Sequence, residues 1–226
     1  MLNHLVDLFF PKICAACQLQ LPDNVETICL DCRHDLPVTN FHFTHDKSVK
    51  KVLYGRTKLE NATALFRFDK KSPVQELIHN LKYRDQENIG KVLGDWLGSE
   101  LQTIEAYQHI DLVIPVPLHK KKLKKRGYNQ VSKFGEQIAK ALHASYREDL
   151  LLKISSSESQ AHKKRFARWQ NNSEQFTLNY LEGLENKHIL LVDDIITTGA
   201  TLESCATVLN QAKNIKISIA TMAIAS

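Results

Sequence analysis

No apolar run in this sequence of 226 residues approaches the length that a membrane-spanning helix needs. Such a helix takes about 20 consecutive apolar residues. The first ten residues also lack the basic start of a secretory signal, and Asp7 interrupts them. We therefore expect a cytoplasmic protein without membrane insertion, whose N-terminus forms a short helix with an apolar stripe.

A strong excess of one charge sign is also absent. The formal net charge of +5 is mild and by itself indicates no particular partner. Apolar residues make up 43% of the chain, which is normal for a globular protein. The length suffices for one substantial domain and a small appendage.

The most informative stretch runs from Ile189 to Thr201. Its first four residues are apolar and predict a buried strand, with Asp193 and Asp194 at the C-terminal end. A turn follows, and a helical pattern begins at Leu202. In open α/β sheets, ligands bind beyond the carboxyl ends of the strands. A turn that opens a helix also presents free N–H groups to a phosphate.

The turn itself is rich in groups that suit a phosphate. Thr197, Thr198 and Thr201 supply hydroxyl donors, and Gly199 lets the backbone approach a ligand closely. The two carboxylates suit sugar hydroxyls or a divalent cation carried by the ligand. Capping alone would explain one or two of these residues, and the Walker spacing G-x-x-x-x-G-K-[ST] is absent. The stretch predicts a site for a phosphorylated sugar.

Two Cys-x-x-Cys pairs near the N-terminus are separated by eleven residues: Cys14, Cys17, Cys29 and Cys32. Four thiolates complete a tetrahedral zinc shell and leave no open position, so the spacing predicts a structural zinc ion. Disulfides are an alternative that a cytosolic setting disfavours, and two redox pairs are another. A module of about 25 residues has too little core to fold without such a staple.

Strands and helices alternate from about residue 60 onward. The predicted strands are Asn61–Asp69, Asp111–Pro117, Leu150–Ile154, the strand from Ile189, and Ile215–Ala223. The predicted helices begin at Pro73, Ile89, Val131 and Leu202. This alternation predicts an α/β fold with a mostly parallel sheet flanked by helices, whereas residues 37–58 show no strong pattern.

Two basic segments interrupt this pattern. Six of the seven residues from Lys120 to Arg126 are basic, and they follow the strand that ends at Pro117. A cationic loop at that edge suits a pyrophosphate or a nucleic-acid backbone, and the alternative is a solvated, flexible segment. The polar segment Ser155–Gln175 lacks a clear period. It is a candidate for an active-site lid, for a surface that binds single-stranded nucleic acid, or for a disordered loop.

The stretch from Ile189 to Thr201 resembles the phosphoribosyl-pyrophosphate (PRPP) motif of type I phosphoribosyltransferases. The resemblance implies that Asp193 and Asp194 hold the ribose hydroxyls and that Mg²⁺ accompanies the pyrophosphate. It also implies a loop that holds the PRPP 5-phosphate, formed by Thr197, Thr198, Gly199, Ala200 and Thr201.

The chain as a whole resembles the ComF family (ComFC, GntX-like), which joins a type I phosphoribosyltransferase fold to a small N-terminal zinc-ribbon-like module. The matching features are the four cysteines, Leu81-Lys-Tyr-Arg84, Pro115-Val-Pro117, Arg126-Gly-Tyr-Asn-Gln130, the spaced set Gln160, Arg168, Asn171 and Phe176, and the PRPP motif. This resemblance divides the chain into a helix with a four-cysteine zinc module over 1–40 and a phosphoribosyltransferase-like domain over 41–226.

The resemblance implies a PRPP-binding competence protein that handles internalised single-stranded DNA in natural transformation, with a competence helicase or recombination protein as a further partner. The alternative is an active phosphoribosyltransferase on an unknown nucleophile, in nucleotide or cofactor metabolism. For catalysis we assign the cations Arg126, Lys125 and Arg168. For nucleic-acid binding we assign Lys120, Lys121, Lys122, Lys124, Lys163, Lys164 and Arg165.

Overall fold

The computed structural model describes residues 11–154, 175–180 and 182–225. The expected N-terminal helix over the first ten residues lies outside these ranges. So does most of the second basic segment, with its predicted functional residues Gln160, Lys163, Lys164, Arg165, Arg168 and Asn171.

A parallel sheet forms the centre of the fold. In chain order, the strands of the described residues are β1 (Ala62–Phe68), β2 (Leu112–Pro115), β3 (Ser145–Tyr146), β4 (Leu151–Ile154), β5 (Gln175–Leu178), β6 (His188–Ile196) and β7 (Lys216–Ala225). The sheet has five strands in the order β1-β7-β6-β2-β3, and every pair is parallel. The predicted parallel sheet is confirmed. The predicted strand at 150–154 is also present, but it pairs with β5 in a separate antiparallel hairpin.

Helices cover the sheet and connect its strands. They are α1 (Leu30–Asp35), α2 (Phe41–Thr44), α3 (Ser48–Val52), α4 (Pro73–Tyr83), α5 (Asn88–Leu101), α6 (Lys120–Arg126), α7 (Ser132–Ala141) and α8 (Ala200–Leu209). Ser72 caps α4 because its side chain accepts the Gln75 N–H, and Pro73 at the first position fits the start of a helix. Among the described residues, none of the helices combines the length and the apolar character that a bilayer crossing requires.

The basic segment after β2 is a helix, not the loop that we expected. The His119 ring accepts the Lys121 N–H at 3.2 Å, and Gly127 ends α6 in the left-handed conformation with φ of 87°. Lysine and arginine are good helix formers, and a cap at each end stabilises so short a helix. The helix presents its lysines to solvent.

Residues 37–58, which show no pattern in the sequence, contain α2 and α3. Phe41, Val49 and Leu53 from this segment are buried in the same core as the start of α8. Helices of four and five residues are too short to display a helical period. Their place in the fold depends on contacts with distant parts of the chain.

Helices α5 and α7 cross at very short range. Gly94 faces α7, and a Cβ atom there would lie 2.6 Å from the Phe134 carbonyl oxygen. Gly90 and Gly98 also face α7. Because small residues let the two backbones touch, α5 fixes the position of α7 and of Gln130, which lies just before it.

The cysteine-rich segment packs directly on α4. Cys14 and Leu21 share one buried cluster with Val74 and Leu77. The buried Asn80 side chain donates from Nδ2 to the Ala15 carbonyl oxygen at 2.9 Å. The module therefore adds to the core of the chain, and the domain boundary near residue 40 stays a prediction.

Candidate functional site

The two adjacent carboxylates lie near the carboxyl end of β6, the central strand of the sheet. Asp193 pairs with Thr221 of β7, and the strand continues to Ile196. The acids therefore lie within the strand, slightly before the end that we expected. They are only 8% and 7% exposed. Ionised groups at this depth need polar partners, since burial of an unpaired charge is costly.

Asp194 has two such partners from distant parts of the chain. Its Oδ1 lies 3.0 Å from Nζ of Lys82, at the end of α4. Its Oδ2 accepts a hydrogen bond from Nε2 of Gln130 at 2.5 Å. Both residues belong to motifs quoted from the sequence, but sequence reasoning assigned a contact to neither. One signal could have found them: the sequence predicts that Asp194 ends a buried strand, and a buried carboxylate needs a cation or a hydrogen-bond donor beside it.

Arg126 joins this network through Gln130. Its guanidinium donates to Oε1 of Gln130 and lies 5.6 Å from the centre of the Tyr83 ring. The hydroxyl of Tyr128 donates to the Leu81 carbonyl oxygen. Burial raises the pKa of Tyr128, which keeps this hydroxyl protonated. The end of α4 and the Arg126–Gln130 segment are thus held together beside Asp194.

The turn between β6 and α8 has the form that the sequence predicts. Gly199 has φ of 75° and precedes α8, which begins at Ala200, two residues before the predicted start. The positive φ favours glycine, and a Cβ atom at Gly199 would also crowd Cδ2 of Leu53 at 2.7 Å. Thr198 and Ala200 are exposed. Free N–H groups at the start of a helix suit an anion.

The four cysteines of the N-terminal pairs come together as predicted. Their Sγ atoms all lie within 4.8 Å of one another, and those of Cys17 and Cys29 are 3.9 Å apart. A tetrahedral shell with metal–sulfur bonds of about 2.3 Å has sulfur–sulfur distances of about 3.8 Å. None of the five cysteines of the chain, all in the described part, forms a disulfide. The geometry fits a metal ion such as zinc.

The backbone around Cys14 favours the thiolate form that a metal ligand needs. The N–H groups of Ala16 and Cys29 each donate to Sγ of Cys14 at 3.4 Å. Burial raises the pKa of Cys14, but the backbone donors of Cys17, Cys29 and Ala16, together with the Cys17 side chain, outweigh it and bring the pKa to about 7. The lowered pKa of Cys14 favours its thiolate, which is the form that binds a metal.

Comparison with known proteins finds relatives that match most of this chain and a domain family that matches the candidate site. A family model of the phosphoribosyl transferase domain matches residues 128–224, which include β6, the turn and α8. The chain is 25% identical to the DNA utilization protein YhgH of Shigella flexneri over 200 residues, 87% of this chain and 83% of that protein. It is also 25% identical to the competence protein ComFC of Bacillus subtilis over 217 residues, 86% of this chain and 87% of that protein.

The chain is a homologue of the ComF proteins. The type I phosphoribosyltransferase fold expected from the sequence is confirmed by the domain match and the parallel sheet. Among solved structures, an adenine phosphoribosyl transferase from Trypanosoma brucei has a TM-score of 0.41 and 13% identity, over 72% of this chain and 71% of that one.

Within this ComF homologue, the residues predicted for catalysis and for nucleic-acid binding fall into three groups: one in the Asp194 network, those exposed on α6, and those outside the described ranges. Arg126 lies in the hydrogen-bond network of Asp194. Lys125 lies on the exposed α6, and no described residue forms a hydrogen bond or ion pair with its side chain. The exposed lysines of α6 predicted to bind nucleic acid are Lys120, Lys121, Lys122 and Lys124. Arg168 and the residues Lys163–Arg165 lie outside the described ranges.

The Lys82–Asp194 contact yields a test of stability. Replacing Lys82 with methionine keeps an unbranched stem but leaves the Asp194 carboxylate without its cation. We expect the free energy of unfolding to fall by about 1–3 kcal/mol, since removing one partner from a buried pair is destabilising. Urea unfolding followed by circular dichroism measures the change.

The matched control is Lys91→Met. Lys91 pairs with Asp95 on the exposed face of α5, with both side chains about half exposed. Loss of such a surface pair costs at most about 0.5 kcal/mol. Equal effects of the two substitutions would contradict a structural role for the Lys82–Asp194 pair.

Proposed function

We propose that this ComF homologue binds PRPP at the carboxyl edge of the sheet. The observation that carries the proposal is the placement of Asp193 and Asp194 near the end of β6, with two residues between Asp194 and the Thr197–Thr201 turn. The 5-phosphate binds to the N–H and hydroxyl groups of the turn. The ribose hydroxyls donate to the carboxylates.

The contacts that Asp194 already makes are compatible with this ligand. A carboxylate has about four lone-pair sites, and Lys82 and Gln130 each use one of them. The remaining sites accept ribose hydroxyls. Lys82 and Arg126 also place positive charge near the pyrophosphate, which binds with Mg²⁺.

We further propose that the protein handles internalised single-stranded DNA in the cytoplasm during natural transformation. The names of the relatives, a competence protein and a DNA utilization protein, support this role. The lysines of α6 support it physically, because their exposed charges can contact successive phosphates. A competence helicase or a recombination protein would be the protein partner.

The four cysteines hold a structural zinc ion in this proposal. Four thiolates leave no open coordination position, so the metal has no direct part in chemistry. Since the module packs on α4, the metal would stabilise the helix that carries Lys82.

An active phosphoribosyltransferase is the second candidate, and the position of Arg126 favours it. A nucleophile would form a bond to C1 of PRPP while the bond from C1 to the pyrophosphate oxygen breaks, and the electron pair leaves with pyrophosphate. Cations positioned at the leaving group stabilise the developing charge. Arg126 lies in the Asp194 network, and Lys125 and Arg168 are the further cations of this proposal.

The PRPP site is tested by Asp193→Ala and Asp194→Ala. Each substitution removes an acceptor of ribose hydroxyls, and we expect the affinity for PRPP with Mg²⁺ to fall about tenfold to a hundredfold. Isothermal titration calorimetry measures the affinity, and thermal unfolding confirms that the variants fold. Asp95→Ala, on the exposed face of α5, is the control. Unchanged affinity in both test variants would refute the site.

DNA binding by α6 is tested with a labelled oligo(dT) in fluorescence anisotropy. The triple variant K120Q/K121Q/K122Q should bind less tightly, and its plot of log affinity against log salt should be shallower by about 2, near 0.7 for each lost phosphate contact. The control triple K70Q/K140Q/K213Q makes the same charge change at scattered exposed positions. Equal salt slopes in the two triples would exclude α6 as the DNA-binding surface.

The metal is tested by elemental analysis of the purified chain. We expect about one zinc ion per chain. Cys17→Ser should lose the metal and unfold at lower temperature, whereas Cys205→Ala should keep it, because Cys205 lies on α8 and is not one of the four clustered thiols. A wild-type protein that is well folded and free of metal would contradict the proposal.

A further inference from the structure

A groove lies beside the turn Thr197–Thr201, which we call the phosphate turn after its proposed ligand, and this groove has no part in the function proposed above. It is formed by Lys50 and by the segment from Tyr54 to Leu59. Its volume is about 430 Å³, which lies in the range of small-ligand sites. The segment belongs to the part of the chain that shows no pattern in the sequence.

The groove is positively charged. Lys50, Arg56 and Lys58 line it, and none of its described lining residues is acidic. Nζ of Lys50 donates to the Glu60 carbonyl oxygen, which holds the ammonium in place without neutralising it. Lys58 is exposed, and no described residue forms a hydrogen bond or ion pair with its side chain. Arg56 is paired with Glu203 at 2.8 Å, whereas Lys50 and Lys58 form no ion pair with a described residue.

The groove also contains an exposed aromatic ring, that of Tyr54. Tyr54 is 88% exposed, and its hydroxyl has no partner among the described residues. At Gly55, φ is 74° and no atom lies within 4 Å of the place of a Cβ atom, so the space beside Tyr54 is open. An exposed ring among cations is the combination that binds nucleotides, since a base stacks on the ring and the phosphate contacts the cations.

Arg56 connects the groove with the phosphate turn. One guanidinium nitrogen donates to the Thr198 carbonyl oxygen at 2.7 Å and also to the Val52 carbonyl oxygen. Beneath it, Leu53 packs against Gly199. The wall of the groove is thus held rigidly on the sheet edge. Rigid placement lowers the entropic cost of binding a ligand.

We propose that this groove is a nucleotide-binding site distinct from the PRPP site. The base stacks on Tyr54, and the phosphate contacts Lys58 and Lys50. The nucleotide is either free or one unit of a single strand, because both present the same base and phosphate. The site uses none of the lysines of α6.

The test measures binding of dTMP and of a labelled oligo(dT) to the full chain by calorimetry and anisotropy. Tyr54→Ala should weaken binding at least about fivefold through loss of stacking. Lys58→Gln should weaken it about threefold or more and lower the salt slope for oligo(dT) by about 0.7. The matched controls are Tyr180→Ala, which removes another exposed ring, and Lys213→Gln, an exposed lysine that does not line the groove. Both should bind as the wild type does.

The outcomes separate the two sources of the nucleotide. Weaker binding of dTMP by both variants assigns the groove to free nucleotides, and weaker binding of oligo(dT) alone assigns it to single strands. If inorganic phosphate competes for the groove as well as dTMP does, the base contributes nothing to binding, and the proposal is overturned. Wild-type affinity of Tyr54→Ala and Lys58→Gln for both probes would also overturn it.

Two further measurements keep this result independent of the proposed function. Tyr54→Ala and Lys58→Gln should retain wild-type affinity for PRPP, because neither residue lies in the turn or the acidic pair. K120Q/K121Q/K122Q should retain the wild-type affinity for dTMP. A loss of dTMP binding in that triple variant would place the nucleotide on α6 and refute the groove.

Discussion

The site depends on one buried carboxylate and the groups that compensate its charge. Asp194 is almost fully buried near the end of the central strand, where an ionised group without partners would cost several kcal/mol. Lys82 and Gln130 supply a charge and a hydrogen bond from two segments that are far apart in the chain. This requirement brings the end of α4 and the segment before α7 to the edge of the sheet.

Other contacts hold these two segments in place. Close packing of α5 on α7 through Gly94 sets the position of Gln130. The cysteine-rich module packs on α4, and Asn80 on that helix donates to the module's backbone at Ala15. Thus the cysteine-rich module, whose Ala15 lies 65 residues before Asn80, supports the helix that carries Lys82. The module and the helices that position the partners of Asp194 share one continuous core.

The charge of the chain is organised at the same edge. The lysine-rich α6 follows β2, and the basic groove around Tyr54 adjoins the turn before α8. Because the strands are parallel, the segments that follow them, α6 among them, lie at one edge, whereas the groove segment precedes β1 and reaches the turn through the contact of Arg56 with the Thr198 carbonyl oxygen. A chain with a modest net charge can therefore concentrate cations beside the turn that precedes α8.

The sequence by itself determined the features that depend on neighbouring residues. The strand from Ile189, the turn with Gly199 and the two cysteine pairs are local patterns whose geometry follows from spacing. Only the tertiary structure decided that Lys82 and Gln130 meet at Asp194, that residues 41–53 pack under the phosphate turn, and that the basic run after β2 becomes a capped helix rather than a loop. The first two depend on contacts between distant segments, which no local period records. The helix depended on whether the caps at His119 and Gly127 outweigh repulsion among its lysines, a balance of small energies that residue type alone does not settle.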